Sequence, residues 1–367
     1  MRSTLLALGI AVATPLAAQA PADYYDGAGD LTGERLRAVL HEIIDDHIRY
    51  PYTSSETDTW DIIHRADGAE DNDGMIRDLY RYRLFDQDDH WSSSNRDGWN
   101  REHSWPKSYG FADRNDCNSA YTDVHALFAS DADYNEARGN IPYDWADDGT
   151  ALPVDELGFS NFVAGEYEHG SFEVWPLRRG DVARAMFYME VRYDGGSHRE
   201  TGCLEPDLRL TSDRDVFVWS GSNNLDVAYM GILSTLIEWH LEDPVDERER
   251  ERHEVVYSFQ GNRNPFIDRP EWICAIWACG IEIDLEASTS RSAGVGEVTL
   301  VWTGISGSAV DLWRNGESLG ETENDGKFVD SVPPAGTYRY RLCESGTYSC
   351  AETAVSFHER RRAVRRR

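Results

Sequence analysis

The stretch WNREHSWPKSYGF, residues 99–111, places Glu102 and His103 side by side, shortly before Pro106. Adjacent residues on an extended chain point to opposite faces of a strand. A carboxylate and an imidazole therefore share one place in the chain but face different directions. Such a pair can divide a chemical task, with the carboxylate binding one group while the imidazole acts on another.

A second segment, TDVHALFASDADYNEARGN at residues 122–140, supplies a partner for this pair. Ser130 is the expected N-cap of a short helix, and Gly139 is the expected end of it. Asn135 then lies in the interior of that helix. Because asparagine is a mediocre helix former, its amide is expected to have a task of its own.

Oxygen atoms from Glu102 and Asn135 suit a hard cation such as Mg²⁺, which takes few protein ligands and keeps several waters. A neutral histidine beside the cation can deprotonate a water for attack on a phosphate. The residues alone therefore suggest metal-assisted hydrolysis of a phosphodiester. They leave open that His103 only packs against Trp99 or Trp105.

The N-terminal segment, residues 1–20, has the features of a secretory signal peptide. Arg2 precedes an apolar run from Leu5 to Ala13, and small residues lead up to Pro21. This run is shorter than the ~20 residues that a membrane-spanning helix needs, and no later segment is more apolar. The sequence predicts an exported protein without a membrane span.

The number of cysteines is even, and an exported protein folds in an oxidising compartment, which favours disulfides. The cysteines are therefore expected to form disulfides. A cysteine zinc site is less favoured, since the chain has no CxxC motif. Two cysteines flank the turn CESGTYSC, two others could close a small loop in CAIWAC, and the remaining two would pair by elimination. Cys343–Cys350 is the predicted pair, and the pairing of the other four cysteines stays open, with Cys274–Cys279 and Cys117–Cys203 as one possibility.

The length of 367 residues exceeds that of a usual single core, so two domains are expected. A break is predicted across residues 285–296, which are small, polar and without periodicity. Beyond it, short alternating strands and the hairpin signal Asn315-Gly316 resemble a fibronectin type III or immunoglobulin-like sandwich, with Trp302, Tyr338 and Tyr340 as core candidates. The expected divisions are a signal peptide at 1–20, a first domain at 21–287, a sandwich at 288–357 and an arginine-rich tail at 358–367.

The first domain is expected to be mainly helical. Apolar residues recur at helical spacing in segments 31–47, 180–195 and 230–244. The charge run DERERERHE, residues 246–254, is predicted to be a solvated helix with ion pairs three and four residues apart.

Five blocks in the first domain resemble the bacterial secreted endonuclease I family, which belongs to the His-Me finger (ββα-metal) nucleases. The resemblance covers roughly residues 30–280 and excludes the sandwich. It implies an α+β fold, mainly helical, with a ββα-metal finger. The blocks are TDTWDIIHRADG, WNREHSWPKSYG, TDVHALFASDADYNEARGN, GDVARAMFYMEVRY and YSFQGNRNPFIDRPE.

The resemblance also implies roles for particular residues. His103 corresponds to the general base, and Glu102 and Asn135 correspond to ligands of a divalent ion, which could be Mg²⁺, Mn²⁺ or Ca²⁺. Arg138 is expected in the catalytic group, either at the phosphate or in a salt bridge. Further positions that bind substrate or support the site are Asn140, His125, Glu173 and Arg263. The family pattern departs at Ala129 and His253, where proline and asparagine are usual.

The implied substrate is DNA, possibly RNA as well, without sequence specificity. A formal net charge of −30 repels polyanions at long range, so affinity is expected to come from a local basic cleft. The cleft candidates are Arg101, Lys107, Arg138, Arg178, Arg179 and Arg263.

Two alternatives remain beside a secreted, monomeric endonuclease. One is a metal-dependent phosphoesterase that acts on small substrates. The other is a secreted adhesion or binding protein in which the sandwich carries the function and the first domain is a degenerate scaffold. The second alternative predicts loss of the Glu102, His103 and Asn135 trio, and all three are present.

Overall fold

The computed structural model describes residues 20–69, 74–219, 227–279, 283–292, 295–305, 308–345 and 350–357. The predicted signal peptide, apart from its last residue, and the arginine-rich tail lie outside these residues. Helices and short strands alternate up to residue 279, and only strands follow from Asp284 onward. Among the described residues, no helix combines the length and the apolar content that crossing a bilayer requires.

The α-helices of the described chain are α1 Gly33–Ile44, α2 Thr59–Ala66, α3 Ala132–Arg138, α4 Arg179–Arg192, α5 Leu233–Glu242, α6 Glu247–Gln260, α7 Pro265–Asp268 and α8 Glu271–Trp277. Short 3₁₀ helices lie at Ala120–Thr122, Tyr167–His169, Pro176–Arg178 and Arg214–Val216.

The strands of the first region are β1 Met75–Arg77, β2 Leu84–Asp86, β3 Trp99–His103, β4 Leu127–Asp131, β5 Thr150–Pro153, β6 Ser160–Ala164, β7 Ser171–Glu173, β8 Leu208–Leu210 and β9 Ala228–Met230. They form the small sheets β1-β2, β3-β4, β5-β6-β7 and β8-β9. These strands confirm the α+β class. The description "mainly helical" overstated the helical share.

Helix α4 is the centre of the first region. Its residues from Gly180 to Arg192 are all buried, and it packs against α1, α5, α7 and β8. The charged side chains of a helix that is buried on every side need partners within the protein. Arg184 donates two hydrogen bonds of 2.7 and 2.6 Å to Glu249. The predicted apolar face of α1 is confirmed, since Leu36, Leu40 and Ile44 are fully buried against this core.

The charge run in α6 is less solvated than its composition indicated. Glu249 and Arg252 are buried, and Arg252 donates to Asp67 at 2.7 Å. These charged residues point into the molecule because α6 packs against α2, whose C-cap is Asp67. The prediction of a solvated helix is therefore wrong for this face, and the pairing partners come from distant parts of the chain.

The second region consists of β10 Asp284–Ser292, β11 Val295–Thr303, β12 Ala309–Arg314, β13 Glu317–Glu323, β14 Lys327–Val332, β15 Gly336–Glu344 and β16 Cys350–Phe357. They form a three-stranded sheet, β10-β11-β14, and a four-stranded sheet, β13-β12-β15-β16. All pairings are antiparallel. Two such sheets around one core are the architecture of a β-sandwich.

The core of this sandwich contains Trp302 and Tyr340, as predicted, with Tyr338 packed at its edge. Asn315 and Gly316 have φ values of 51° and 84° at the turn between β12 and β13, which is the backbone that an Asn-Gly hairpin adopts. The break predicted across residues 285–296 is occupied mostly by β10 and the start of β11. Its small polar residues form a strand because β11 pairs with it along its whole length.

The disulfides in the described chain are Cys117–Cys203, Cys274–Cys279 and Cys343–Cys350. The predicted pair Cys343–Cys350 is confirmed, and the other two disulfides are the pairings that the sequence left as a possibility.

Candidate active site

Strands β3 and β4 and helix α3 form a ββα unit that brings the two sequence segments together. The strands are antiparallel, with Glu102 opposite Phe128 and His103 opposite Leu127. Helix α3 starts directly after β4, and the side chain of Asp131 accepts the N-cap hydrogen bond from the backbone of Asp133 at 3.0 Å. The cap is thus Asp131 and not Ser130, which belongs to β4. Gly139 ends the helix as predicted.

His103 is half-buried at the end of β3. Its Nε2 atom lies 3.0 Å from the backbone oxygen of Tyr121. A carbonyl can only accept, so Nε2 carries the ring proton and Nδ1 keeps the lone pair. Burial lowers the pKa of His103 to about 3, and the charges of Lys107 and Arg101 lower it further, against the opposing effect of the Tyr121 carbonyl. The imidazole is therefore neutral at physiological pH and can accept a proton.

Glu102 faces the other side of β3, as strand alternation predicted. Its side chain is buried, with 2% of its surface exposed. Its Oε1 atom accepts hydrogen bonds from the hydroxyl of Tyr80 at 2.6 Å and from Nη1 of Arg138 at 3.0 Å. Burial raises the pKa of Glu102, while Arg138 and Tyr80 act in the opposite direction. Both side-chain bonds fall on Oε1, which leaves Oε2 without a side-chain donor, and the backbone N–H of His103 also bonds the carboxylate.

Asn135 lies on α3 with its amide turned toward β3. Its Nδ2 atom donates to Oδ1 of Asn100 at 2.7 Å and to the backbone oxygen of Arg101 at 3.3 Å. These bonds use both amide hydrogens and fix the side chain, so Oδ1 remains as the acceptor. Together with Oε2 of Glu102 it provides neutral and anionic oxygen donors, the kind of set that fits a hard divalent cation.

Arg138 is fully buried beneath this pair. Besides its bond to Glu102, it donates to the backbone oxygens of His103 at 2.9 Å and Ser104 at 2.6 Å. Its guanidinium lies 4.4 Å from the ring centroid of Tyr143. These contacts hold the end of β3 against α3. A side chain without exposed surface cannot reach a phosphate, so Arg138 positions Glu102 and His103.

Two tyrosines complete the site, and the sequence analysis missed both. Tyr80 donates to Glu102, so its oxygen must accept the hydrogen bond that links it to the hydroxyl of Tyr143 at 2.6 Å. The chain Tyr143–Tyr80–Glu102 therefore runs in one direction and ends on the carboxylate. Both rings are fully buried. Neither tyrosine stands in a pattern that marks it as functional, because they reach Glu102 only through the tertiary fold.

Arg101 lies on the same face of β3 as His103. Its guanidinium carbon is 3.4 Å from the ring centroid of Tyr52 and 3.8 Å from that of Trp60. It donates to the backbone oxygen of Tyr52 and, at 2.7 Å, to the hydroxyl of Thr59. Arg101 forms no ion pair with a described carboxylate. Arg101 is itself buried, with 9% of its surface exposed, and Asp58 partly offsets its positive charge without an ion pair.

The other cleft candidates do not form an open basic surface. Arg178 is buried against Asp181 and Asp246, and Arg179 pairs with Glu173 and Glu242. Since acidic residues number 66 against 36 lysines and arginines, most buried cations find a carboxylate. The prediction of a six-residue cleft is wrong. Of the six candidates, Arg101 and Lys107 remain near His103, with Nζ of Lys107 3.1 Å from the hydroxyl of Tyr121.

The four residues that were expected to bind substrate or support the site differ in their contacts. His125 is buried, with Nε2 donating to the backbone oxygen of Asn262 at 3.0 Å. Glu173 bonds Arg179 and, at 3.2 Å, the backbone of Ala146, so it braces β7. Asn140 is half-buried just after α3.

Arg263 belongs to a second cluster, with His253, Glu254 and Asp268. The histidine and the two acids have ligand atoms within 4.8 Å of one another, a spacing that could suit a metal ion. Arg263, however, donates to Glu254 and to Asp268, the latter at 2.7 and 2.8 Å. A cleft of about 600 Å³ lies beside this cluster, yet both carboxylates already share a buried cation. Glu102 is also paired with a buried arginine, but Arg138 bonds only its Oε1 oxygen, whereas Arg263 bonds both oxygens of Asp268 and of Glu254.

Comparisons with known proteins show the family of this chain. The family model of endonuclease I matches residues 32–271. The extracellular ribonuclease of Bacillus subtilis (strain 168) is 36% identical over 270 residues, which cover 73% of this chain and 83% of that protein. The extracellular ribonuclease of Bacillus amyloliquefaciens is 36% identical over 259 residues, covering 69% and 78%. The chain belongs to the endonuclease I family, and it is a nuclease that hydrolyses phosphodiester bonds.

Proposed function

We propose that the protein is an exported, divalent-metal-dependent endonuclease that cleaves RNA and DNA without sequence preference. The observation that carries this proposal is the ββα unit, in which neutral His103 and the oxygens of Glu102 and Asn135 lie on one short strand and the helix beside it. Export is supported by the signal-like N-terminus, by the three disulfides and by the extracellular relatives.

His103 acts as the general base in this proposal. Its proton stays on Nε2, held by the carbonyl of Tyr121 at 3.0 Å, so Nδ1 takes the proton of the attacking water. The rings of Tyr52 and Tyr121, at centroid distances of 6.0 and 5.0 Å, keep the imidazole in one orientation. A base that is fixed and neutral can contribute roughly 10²–10⁴-fold to the rate.

Glu102 and Asn135 would hold the divalent ion. A bound ion supplies stabilisation of the negative charge that develops on the phosphate and on the leaving oxygen. The Tyr143–Tyr80–Glu102 chain and Arg138 keep the carboxylate in place and ionised, despite a burial that raises its pKa. The resemblance favours Mg²⁺, with Mn²⁺ and Ca²⁺ as alternatives that a metal series would separate.

Both RNA and DNA are proposed as substrates. The base takes its proton from water, so the mechanism does not require the 2′-hydroxyl of RNA. Two relatives carry the name extracellular ribonuclease, which supports RNA, and the family description is endonuclease. Contacts to phosphate carry no sequence information, which is consistent with a lack of sequence preference.

The test uses purified mature protein with a plasmid and with a structured RNA, with Mg²⁺ or with EDTA. Wild-type protein should cut both in Mg²⁺ and neither in EDTA. Glu102→Gln and Asn135→Ala should need much more Mg²⁺ for half-maximal rate, because each removes one oxygen donor. His169→Ala, at a histidine whose side chain is 74% exposed, serves as the matched control.

Digestion that survives EDTA would refute the metal, and an unchanged Mg²⁺ requirement in both variants would refute its ligands. Cleavage of small phosphodiesters alone, with plasmid and RNA intact, would favour the phosphoesterase alternative.

A further inference from the structure

The four-stranded sheet of the sandwich carries a cleft of about 580 Å³ on its surface. We call it the Trp313 cleft, and it is lined by Trp313, Asn315, Arg339, Arg341 and Glu352 among others. Trp313 on β12 is directly opposite Arg341 on β15, and Arg341 is directly opposite Glu352 on β16. The cleft therefore crosses three neighbouring strands.

The cations of the Trp313 cleft stand out from the rest of the sandwich. Residues 284–357 contain five lysines and arginines against eleven acidic residues. Two of those five, Arg339 and Arg341, are exposed in this cleft and form no ion pair with a described carboxylate. Arg314 on the same sheet, by contrast, is paired with Asp330 at 2.8 Å. A local excess of positive charge on an acidic surface indicates an anionic ligand.

The cleft is also held in a fixed shape. Asn315 donates its backbone N–H to the oxygen of Arg339 at 2.8 Å, and its Oδ1 accepts from the N–H of Arg339 at 2.9 Å. The guanidinium carbon of Arg341 lies 5.7 Å from the ring centroid of Trp313. Trp313 remains half-exposed, so its indole is available to a ligand.

We propose that the Trp313 cleft binds single-stranded polynucleotide. Proteins bind single-stranded nucleic acid with an aromatic ring beside arginines that have no ion-pair partner. The bases stack on the ring, and the phosphates form ion pairs with the arginines. An uncharged polysaccharide would use the indole but would gain nothing from Arg339 and Arg341. The proposal rests on the proposed nucleic-acid substrate, and it assigns the sandwich the task of holding that substrate near the nuclease domain.

The binding test uses the full mature chain in EDTA, where cleavage is not expected, and a fluorescein-labelled 20-residue oligouridylate followed by anisotropy. Trp313→Ala should weaken binding roughly 5- to 100-fold, the range that corresponds to losing one stacked base. Arg341→Glu should weaken it as well and should flatten its dependence on salt. Arg291→Glu changes charge equally at an exposed site on β10 of the other sheet and should stay within about 2-fold of wild type.

Two further measurements separate this proposal from the proposed function. With long RNA in Mg²⁺, Trp313→Ala should raise KM and leave kcat unchanged, whereas cleavage of a dinucleotide should be unaffected. If the nuclease proposal failed, neither RNA nor dinucleotide would be cut, yet the oligouridylate titration would still report on the cleft. Unchanged oligouridylate binding in both Trp313→Ala and Arg341→Glu would overturn the proposal. Displacement of the probe by an uncharged polysaccharide, at wild-type strength, would instead make the cleft a carbohydrate site.

Discussion

Two clusters in the first domain each combine a histidine and the glutamate next to it in sequence with a buried arginine that bonds the carboxylate. One is Glu102–His103 with Arg138, and the other is His253–Glu254 with Arg263. In the first, the arginine lies beneath the strand and bonds one oxygen of the carboxylate. In the second, the arginine lies between Glu254 and Asp268 and bonds both.

This difference bears on the proposed metal site. Arg138 bonds one oxygen of Glu102, whereas Arg263 bonds both Glu254 and Asp268. The histidines differ in the same way. His103 is half-buried, and its Nδ1 atom keeps a lone pair. In His253, Nε2 donates to Asp268 at 3.3 Å, and Nδ1 is buried without a hydrogen-bond partner. Residue types alone therefore do not identify an active site.

The strongest test of this difference between the clusters is to remove each histidine in turn. His103→Ala should lower kcat by about 10²–10⁴-fold, because the general base is lost. His253→Ala should leave kcat within a few-fold once the protein is shown to be folded by circular dichroism. Initial rates on plasmid and RNA measure both. A larger loss in His253→Ala than in His103→Ala would reverse the assignment of the two clusters.

Removing Arg263 tests the second cluster through stability. Arg263→Ala leaves two carboxylates without their cation and should cost about 3 kcal/mol, the low end of the range for breaking a buried pair, since Glu254 keeps 28% of its side-chain surface exposed. Arg269→Ala removes an exposed pair with Glu271 and should change stability by less than about 1 kcal/mol. Urea unfolding measures both.

The same variant also tests whether the arginine excludes a cation. If Arg263 is what keeps a metal out, Arg263→Ala should regain stability in millimolar Ca²⁺, whereas wild-type protein should respond to Ca²⁺ only through its Glu102 site. A Glu102→Gln background isolates the effect. Absence of any Ca²⁺ response in the double variant would show that the cluster has no metal affinity of its own.

Tyr80→Phe tests the hydrogen-bond chain that ends on Glu102. It removes a donor from the carboxylate and leaves the hydroxyl of Tyr143 without a partner, in a fully buried place. The expected cost is about 1–3 kcal/mol, together with a weaker response to Mg²⁺. Tyr134→Phe is the control, since its hydroxyl donates to Pro153 at a half-buried site. Equal effects of the two substitutions would contradict the role of Tyr80.

The last prediction concerns the dependence of stability on pH. Burial lowers the pKa of His47 and His240 to about 4 and that of His103 and His125 to about 3. The unfolded chain binds protons below its histidine pKa of about 6.5 that the folded chain does not. Stability should therefore fall as pH drops from about 6.5 toward 4, by up to ~1.4 kcal/mol per pH unit for each histidine.

Urea titrations at pH 7, 6 and 5 measure this slope. His125→Asn should make it shallower, while His169→Ala at an exposed position should not alter it. A slope that is the same in all three proteins would show that His125 is not the origin of the acid sensitivity.

Much of this protein was readable from local sequence. The Asn-Gly turn, the apolar face of α1, the Cys343–Cys350 pair and the strand placement of Glu102 and His103 all follow from short-range rules, because turn geometry, helical period and strand alternation act over a few residues. The pairing of residues 99–103 with 127–131 was expected only through the ββα finger that the resemblance implies, since residues 104–126 separate the two strands.

Long-range pairing could not be read in this way. The charge run at 246–254 was expected to face solvent, yet Glu249 and Arg252 are buried. The arginines at 178 and 179 were expected to face substrate, yet they pair with Asp246 and Glu242, which are more than 60 residues away in sequence. The small polar residues after Asp284 became a strand because β11 supplied a partner.

The order of residues was enough to establish which side chains could perform hydrolysis and that two of them face opposite sides of one strand. The tertiary fold was needed to establish that Tyr80 and Arg138 bond the carboxylate of Glu102. It was also needed to establish that the carbonyl of Tyr121 fixes the ring proton of His103 on Nε2, and that Arg263 pairs with Glu254 in the second cluster. The physical reason is that hydrogen bonds and charge pairs in a buried site depend on which distant groups are within about 3 Å, and such proximity is a property of the fold.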